Sequence, residues 1–525
     1  MLVIPPSLEA ALKNSDRTAL AAYGALAVGL LYGVHQLVFT SKKQSRRIHN
    51  PDSTLPIIGN VLDASNADQF HDWMLEQCIK FKGEPWQLNI PGDQPTVIMY
   101  TPEMVEDVTI KQSGVFLKGQ FQRDRVEQMF GNSIVVSEGE RWVRQRKASV
   151  RFFTSRTLRA FVSQAMKKNL GKVSNILDNS IKDNTQVDMK KLFVEFTMST
   201  FMEMGIGREL DWIGRDKPHP FEVAFDEGSQ LLLRRFQLPG FIWKLERWLN
   251  VGKEKEFAEY CNTLQSFIHS VVKESMEAAM EKRAKGEVVD DKDAVKSIVE
   301  LFVEQSDEDT DGLRFDDLVE SLLTFVIAAR DTTALTLTWM FYELGRHPEV
   351  VEKIRKEMAD KLTVSKDAYL TSDDIRSLTY LEAVIKESLR LHAVAPFTTR
   401  QADKDTVVCG DIPIKKGQTV GLAIYALNRN PLVWGDDAQE FNPNRWIDPK
   451  TGDIINVPTT KLFNFTAGPR ICVGMNLAMM ELRVVSANLL HKYRFDVDFS
   501  KNDGSYSSGM TLNLKHPLLV NVKRV

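Results

Sequence analysis

The sequence predicts one large, mainly α-helical domain with small accessory β-sheets, preceded by a single transmembrane helix. Three observations support this fold class: helical periodicity dominates the chain, strand-like segments are few and short, and an uncharged run of helix length lies near the N-terminus. We divide the chain into an N-terminal segment (1–17), an anchor (18–40), a basic, proline-containing linker (41–60) and one domain (61–525).

The anchor is predicted from TALAAYGALAVGLLYGVHQLVF, which is uncharged and close to the ~20 residues that cross a bilayer. Four cations follow it, at Lys42, Lys43, Arg46 and Arg47, and the positive-inside rule places the domain in the cytosol. We expect a single-pass protein of the endoplasmic reticulum membrane. One alternative is a cleaved signal peptide, although the run exceeds the roughly 7–15 apolar residues usual there. A tilted or interfacial anchor is another.

The composition excludes several classes of protein. A formal net charge of −3 lacks the basic excess of a nucleic-acid binder. The 4 cysteines form no CxxC pair, which excludes zinc ribbons, thioredoxin-like sites and CxxCH haem attachment. They are also too few for a disulfide framework in so long a chain, so we expect a reducing compartment.

Periodicity predicts helices at 104–111, 155–182, 257–282, 315–346, 348–361, 379–391 and 475–490. Strands are predicted at 96–100, 406–409, 419–425 and 518–523, and a hairpin at 506–515. Two polar stretches, 284–293 and 306–312, are interpreted as surface loops between helices.

The segment FTAGPRICVG (465–474) surrounds Cys472 with residues that suit a reactive thiol. Gly468 and Gly474 permit close backbone approach and positive φ, and Pro469 fixes the turn. Cys472 lies just before a predicted helix, whose free N–H groups lower a thiol pKa, and Arg470 adds a cation. A lone cysteine is usually a small buried apolar residue. The surrounding loop favours a thiolate instead.

This segment resembles the haem-binding loop of the cytochrome P-450 family, Phe-x-x-Gly-x-Arg-x-Cys-x-Gly, and every specified position matches. The resemblance implies the cytochrome P-450 fold and haem b as cofactor, with Cys472 as the axial thiolate ligand of the iron. It also implies that Arg470 contacts a haem propionate, that Phe465 shields the sulfur, and that Gly468 and Gly474 complete the loop. The implied activity is a haem-thiolate monooxygenase, which inserts one oxygen atom of O2 into a substrate.

A second motif pairs Glu387 with Arg390 on one helix face at i,i+3 spacing. Alone, such a pair usually lies on the surface and contributes about 0.3–0.5 kcal/mol. The segment FNPNRW follows, and the resemblance implies that its Arg445 joins Glu387 and Arg390 in a buried ion network.

A third motif is Trp142-Val-Arg-Gln-Arg146, which is similar to the family's Trp-x-x-x-Arg. Its i,i+4 spacing allows the indole and the guanidinium to reach one propionate, whereas the alternative is an ordinary basic helix. Arg400 matches another propionate-contacting position of the family.

The segment SLLTFVIAARDTTALTLTWMFYEL is apolar except near its centre, where a buried acid needs a partner or a function. A Thr hydroxyl can bond the carbonyl four residues back and loosen the helix. The segment resembles the family's oxygen-activating motif, with Ala329 where glycine is usual. The resemblance implies that Asp331 and Thr332 are catalytic, Asp331 drawing protons from solvent and Thr332 positioning their hydrogen bond.

The chain contains no flavin or nicotinamide motif, so electrons must come from a separate protein, and we expect the membrane-bound NADPH–cytochrome reductase. The basic segment RWVRQRK (141–147) would suit an acidic partner, or is simply a solvated helix face.

The substrate is expected to be lipophilic. Segments 234–256 and 506–515 and the AARDTTALTLTW helix most resemble the fatty-acid ω-hydroxylase branch, with FQLPGFIW in a roof facing membrane lipid; its aromatic residues would also suit a plain core. Alternatives are a monooxygenase of sterols, alkanes or xenobiotics, a haem-thiolate isomerase or dehydratase, and a haem carrier or sensor.

Overall fold

The computed structural model describes residues 46–154, 156–285, 296–305 and 314–525. The predicted anchor at 18–40 and the segment before it lie outside these residues, as do most of the two polar stretches at 284–293 and 306–312. Within the described ranges, no helix is both long enough and apolar enough to cross a membrane.

The domain is built mainly from α-helices, several of them long. The α-helices span Val61–Ser65, Phe70–Phe81, Pro102–Glu106, Gly119–Phe130, Gly139–Thr154, Arg156–Asp183, Met189–Ile206, Pro220–Gln237, Gly240–Leu249, Gly252–Ala284, Ile298–Gln305, Phe315–Arg346, Pro348–Lys361, Thr379–Leu391, Ile424–Arg429, Pro431–Trp434 and Met475–Lys492. A π-helical turn, Asp107–Lys111, continues the helix that begins at Pro102.

Twelve short strands form four small sheets in the described part of the chain. The strands are β1 (Trp86–Leu88), β2 (Thr96–Met99), β3 (Phe116–Leu117), β4 (Val187–Asp188), β5 (Thr398–Ala402), β6 (Thr406–Val408), β7 (Ile412–Ile414), β8 (Thr419–Leu422), β9 (Tyr493–Val497), β10 (Tyr506–Ser508), β11 (Leu512–Leu514) and β12 (Leu519–Arg524). The largest sheet has the order β1-β2-β8-β5-β3, antiparallel except where β2 pairs with β8. The others are β4-β12-β9, β6-β7 and β10-β11.

The mainly helical fold class with small sheets is therefore confirmed. The predicted helices at 315–346, 348–361 and 379–391 have the predicted bounds, and the hairpin at 506–515 is the β10-β11 pair. The predicted strand at 419–425 is too long, because β8 ends at Leu422 and a helix begins at Ile424.

The helix Phe315–Arg346, called the central helix below, runs through the core and packs against Met189–Ile206. At its start the Asp317 carboxylate accepts from the backbone N–H of Arg314 at 3.1 Å, which satisfies an otherwise free donor. At its end Pro348 begins the next helix, and a residue before proline is biased away from helical backbone. Local capping therefore fixes both ends of this helix.

The described part of the linker, 46–60, lies against the domain. His49 forms a parallel bridge with Trp86, and the side chain of Asn60 accepts from the backbone N–H of Asn89 at 3.0 Å. Gly59 has φ +57°, and a Cβ there would overlap the carbonyl oxygen of Asn89, so the turn requires glycine. These contacts fix the direction in which the chain enters the domain.

Candidate active site

The cysteine loop (465–474) is held by its own backbone and by one obligatory glycine. The backbone N–H of Cys472 donates to the carbonyl oxygen of Phe465 at 2.9 Å. Gly468 has φ +66°, and a Cβ there would overlap the carbonyl oxygen of Thr109. Gly474 differs from the expectation, because its φ is −85° and a Cβ would lie 3.9 Å from the sulfur, an ordinary contact. Of the two glycines in the loop, only Gly468 therefore requires positive φ.

The thiol of Cys472 is accessible, yet protein surrounds it closely enough that burial raises its pKa. The backbone N–H groups of Gly474 and Met475 donate to the sulfur, and the charge of Arg146 also acts to lower this pKa. The helix start and a cation, Arg146, act on the sulfur in the expected direction, but burial outweighs them in the protein alone. A bound metal ion deprotonates a coordinating thiol outright.

The helix Gly139–Thr154 contacts the cysteine loop through both residues of the Trp-x-x-x-Arg motif. The guanidinium of Arg470 lies 4.0 Å from the ring centroid of Trp142. One turn further on, Arg146 donates to the carbonyl oxygen of Ile471. The i,i+4 spacing thus brings two side chains onto successive residues of the loop.

Beside the loop lies a cluster of three cations, Lys118, Arg400 and Arg470, with the single carboxylate of Glu138. Arg470 pairs with Glu138, which also accepts from the backbone N–H of Lys118. Burial, then the charge of Arg470, lowers the pKa of Arg400 to about 10. Burial and the charges of Arg400 and Arg470 hold the pKa of Lys118 well below its usual range. Glu138 is the one acid among the described charges acting on this cluster, and Arg146 adds a further positive charge near Arg470, so the cluster suits an anionic group.

The ion network has the predicted members and two more. Glu387 and Arg390 are fully buried and form a bidentate pair at 2.8 and 2.9 Å. Arg445 donates to the same carboxylate at 3.0 Å and also pairs with Asp437 at 2.8 Å. The indole N–H of Trp446 donates to the other oxygen of Glu387 at 2.9 Å. The network connects the helix Thr379–Leu391 to the chain that leads into the cysteine loop.

The central helix has one accessible patch of three residues in its buried length. Between 322 and 344, a stretch the structure describes throughout, every residue is buried except Ala328, Ala329 and Thr332. The hydroxyl of Thr332 donates to the carbonyl oxygen of Ala328 at 2.7 Å, and the α-helix stays continuous through this turn. These residues share one face by their spacing, so the helix presents a narrow patch of small side chains and one hydroxyl.

The side chain of Asp331 contacts different groups from those that the side chain of Thr332 contacts. Its carboxylate accepts from Arg330 at 2.8 Å and from the hydroxyl of Thr511, in the β10-β11 turn, at 3.3 Å. Arg330 also pairs with Asp226 of the helix Pro220–Gln237 at 2.7 Å. Burial raises the pKa of Asp331, while Arg330 acts to lower it. Asp331 and Thr332 are thus neighbours in the helix without a direct hydrogen bond.

Sequence reasoning missed several of these residues. Lys118, Glu138, Asp226 and Thr511 belong to no motif and come from separate parts of the chain. Glu481, on the helix that follows the cysteine loop, was also missed: it is 1% exposed, and burial raises its pKa to about 8. The signal available in the sequence was a glutamate inside the mainly apolar run 475–490.

Haem b fits the residues present. Its two propionates would balance the excess charge of Lys118, Arg400 and Arg470, its iron would take the accessible sulfur of Cys472, and its flat ring suits the small side chains of the central helix. Fold and site together are those of a haem-thiolate oxidoreductase.

The comparisons with known proteins agree. Residues 49–522 match the family model described as Cytochrome P450. Cytochrome P450 704C1 of Pinus taeda is 28% identical over 87% of this chain and 90% of its own length. Cytochrome P450 86B1 of Arabidopsis thaliana is 28% identical over 84% and 79%, and noroxomaritidine synthase of a Narcissus species is 29% identical over 89% and 90%. The chain belongs to the cytochrome P450 family, whose members are haem-thiolate monooxygenases and bind haem b through a cysteine.

Proposed function

We propose that this monooxygenase hydroxylates the far end of long-chain lipids, with fatty acids as the first candidates. The observation that carries the proposal is an apolar cavity of about 200 Å³. Its wall includes Leu232 and Phe236 of the helix Pro220–Gln237, Phe397 beside β5, and Met510 of the β10-β11 turn. The same turn supplies Thr511, which contacts Asp331 of the central helix.

Each site residue then has a proposed role. Bound haem supplies oxygen activation and insertion, with Cys472 as ligand of its iron. Arg400, Arg470 and Lys118 hold its propionates, and Trp142 and Arg146 keep the cysteine loop in place. Phe465 supports Cys472 through the backbone hydrogen bond and shields the sulfur.

Thr332 and Asp331 are proposed to move protons. Thr332 is the hydroxyl on the accessible patch of the central helix, which supports a role in positioning the hydrogen bond for proton delivery. Arg330 pairs with both Asp331 and Asp226, whose side chain is 55% exposed, so this cation holds Asp331 close to the surface without itself carrying a proton. Since Asp331 and Thr332 form no direct hydrogen bond, the proton passes between them through water.

Membrane attachment is proposed through the anchor at 18–40 and a second surface. The helix Gly240–Leu249 buries Trp243 but exposes Phe241, Leu245 and Trp248 at i, i+4 and i+7 spacing. An exposed apolar stripe of this kind suits an interfacial position in lipid. We propose that the catalytic domain faces the cytosol at the endoplasmic reticulum. Resistance of the full-length protein to alkaline carbonate extraction tests the anchor.

The electron donor is proposed to be the NADPH–cytochrome reductase. On the helix that contacts the cysteine loop, Arg144 and Lys147 are exposed, whereas Arg141 pairs with Asp317 and Glu320. The two exposed cations lie on a helix that contacts the cysteine loop and would attract an acidic partner.

The test is reconstitution of the full-length protein with haem, reductase and NADPH. A carbon monoxide difference spectrum of the reduced protein reports the thiolate ligand, and a panel of long-chain fatty acids, sterols, alkanes and xenobiotics reports the substrate. Terminally hydroxylated acyl products are the expected result. Turnover of a sterol alone, or a rearranged product without NADPH, would replace the proposal with one of the alternatives. The relative named noroxomaritidine synthase shows that similarity at this level does not itself select a substrate.

A further inference from the structure

The guanidinium of Arg330 is shared between two carboxylates that lie on different helices. Its Nη1 donates to Asp331, the next residue of the central helix, at 2.8 Å and to Asp226 at 2.7 Å. Its Nη2 also donates to Asp226, at 3.3 Å. The side chain of Arg330 is only 5% exposed, so water does little to compensate its charge and the two acids must do so. One buried cation therefore serves two carboxylates, of which the proposed proton route uses one.

The helix Pro220–Gln237 holds this cation by more than one contact. Besides the pair with Asp226, the guanidinium carbon of Arg330 lies 4.9 Å from the ring centroid of Phe225. A cation over an aromatic face is attracted electrostatically, and more strongly where water is excluded. Glu222, one turn earlier on the same helix, adds a further negative charge near the guanidinium. Arg330 is therefore bound to a neighbouring helix as well as to its own.

The charges that act on Asp331 oppose one another. Burial raises the pKa of Asp331, Arg330 lowers it, and the carboxylate of Asp226 raises it again. The hydroxyl of Thr511, which donates to Asp331, and the charge of Lys190 lower this pKa further. Among the charges of the described residues, Arg330 and Asp226 act most strongly on Asp331, and they act in opposite directions.

We propose that Arg330 is a positioning residue for proton delivery and that Asp226 competes with Asp331 for it. The inference rests on the proposed function, in which Asp331 takes up protons from solvent, and adds two residues to that step. A guanidinium does not release a proton in proteins, so Arg330 acts only through Asp331. Where Asp226 holds Arg330, Asp331 is free to take up a proton. Where Arg330 pairs with Asp331 alone, that carboxylate stays ionised.

The direct test is an infrared pH titration of the haem-loaded, full-length protein. The carbonyl band of protonated Asp331 is identified by its absence from the Asp331→Asn variant. Asp226→Asn removes the acid that competes for Arg330, so we expect the band to disappear at lower pH than in the wild type. Arg330→Gln removes the cation, so we expect the band to persist to higher pH. The control is Glu227→Gln, which neutralises the adjacent exposed acid of the same helix and should leave the band unchanged.

The functional test supplies hexadecanoate, reductase and NADPH to the same proteins. In Asp226→Asn we expect about threefold less product per NADPH consumed, with peroxide accounting for the difference, because less of Asp331 carries a proton. The KM should stay within about twofold of the wild-type value, since Asp226 is not among the described residues that line the cavity. Asp226→Glu keeps the charge and should retain the wild-type product ratio.

The inference fails if the Asp331 band titrates alike in Asp226→Asn and the wild type, or if Asp226→Asn and Arg330→Gln shift it in the same direction. It also fails if Asp226→Asn yields as much product per NADPH as Glu227→Gln. Because the side chain of Asp226 is 55% exposed, its variants should fold even if Arg330→Gln does not, and they test the inference alone. Absence of hydroxylated hexadecanoate from the wild-type enzyme would overturn the proposed substrate, and the infrared titration would still test the role of Arg330.

Discussion

The strongest test of the fold behind the cysteine loop is the substitution Glu387→Gln. The change keeps the size of the side chain but removes its charge. The carboxylate accepts hydrogen bonds from Arg390, Arg445, Trp446 and the backbone N–H of Asn442. Glutamine offers one oxygen in place of two, and its amide N–H groups face donors.

The magnitude follows from what remains buried. Arg390 has no exposed side-chain surface, and without Glu387 its remaining partners are the carbonyl oxygens of Asn428, Ala438 and Glu440. Arg445 keeps Asp437. Leaving one charge of a buried pair uncompensated costs about 3–5 kcal/mol. For a domain of this length the entropy of unfolding makes about 1 kcal/mol correspond to one degree, so we expect a drop of about 3–5 °C in Tm.

The assay is thermal unfolding of the purified protein together with its haem content. The matched control is Glu382→Gln, on the same helix: this glutamate also meets two cations, Lys386 and Arg483, but its side chain is 23% exposed. We expect the control to change stability by less than about 1 kcal/mol. The reasoning is refuted if Glu387→Gln melts within a degree of the control and binds haem equally well.

Three further predictions concern single residues. Gly468→Ala should abolish the carbon monoxide spectrum, because its Cβ would overlap the Thr109 carbonyl, whereas Gly474→Ala should load haem normally; equal behaviour of the two would contradict the geometry. Thr332→Ala should consume NADPH at a normal rate but release peroxide in place of product, and full coupling would remove its proton role. Glu481, with its pKa raised to about 8, keeps a proton in the folded state that the unfolded chain loses near pH 4.5, so it destabilises the fold increasingly as pH rises between these values. Glu481→Gln should therefore increase the free energy of unfolding more at pH 8 than at pH 5, by up to about 1.4 kcal/mol per pH unit, and an equal rise in Tm at both pH values would exclude this.

The sequence predicted best where the signal is local. The bounds of the central helix were predictable because a long apolar run ends just before Pro348, and the cysteine loop was found because its residues are adjacent. The helix Met189–Ile206 was missed because 14 of its 18 residues are buried, which leaves no polar face to give a period.

The sequence could not show which distant residues the fold brings into contact. Lys118 joins Arg400 and Arg470 only because β3 and β5 pair, which places the residue after β3 beside β5. The partner of Asp331 was unpredictable for the same reason, since Thr511 lies 180 residues further on. Gly474 is a different case. A glycine in a motif does not by itself show whether positive φ or a close contact requires it.

The cluster of Lys118, Arg400, Arg470 and Glu138 has a consequence for biosynthesis. If this cluster holds the haem propionates as proposed, the cofactor is a counter-ion for the fold as well as a catalyst, since bound propionates would relieve the repulsion among its cations. Any group that binds the native state and not the unfolded chain stabilises the former by mass action. On that proposal, folding yield would be thermodynamically linked to haem supply, and a cell short of haem would accumulate less native protein, not an equal amount of inactive protein.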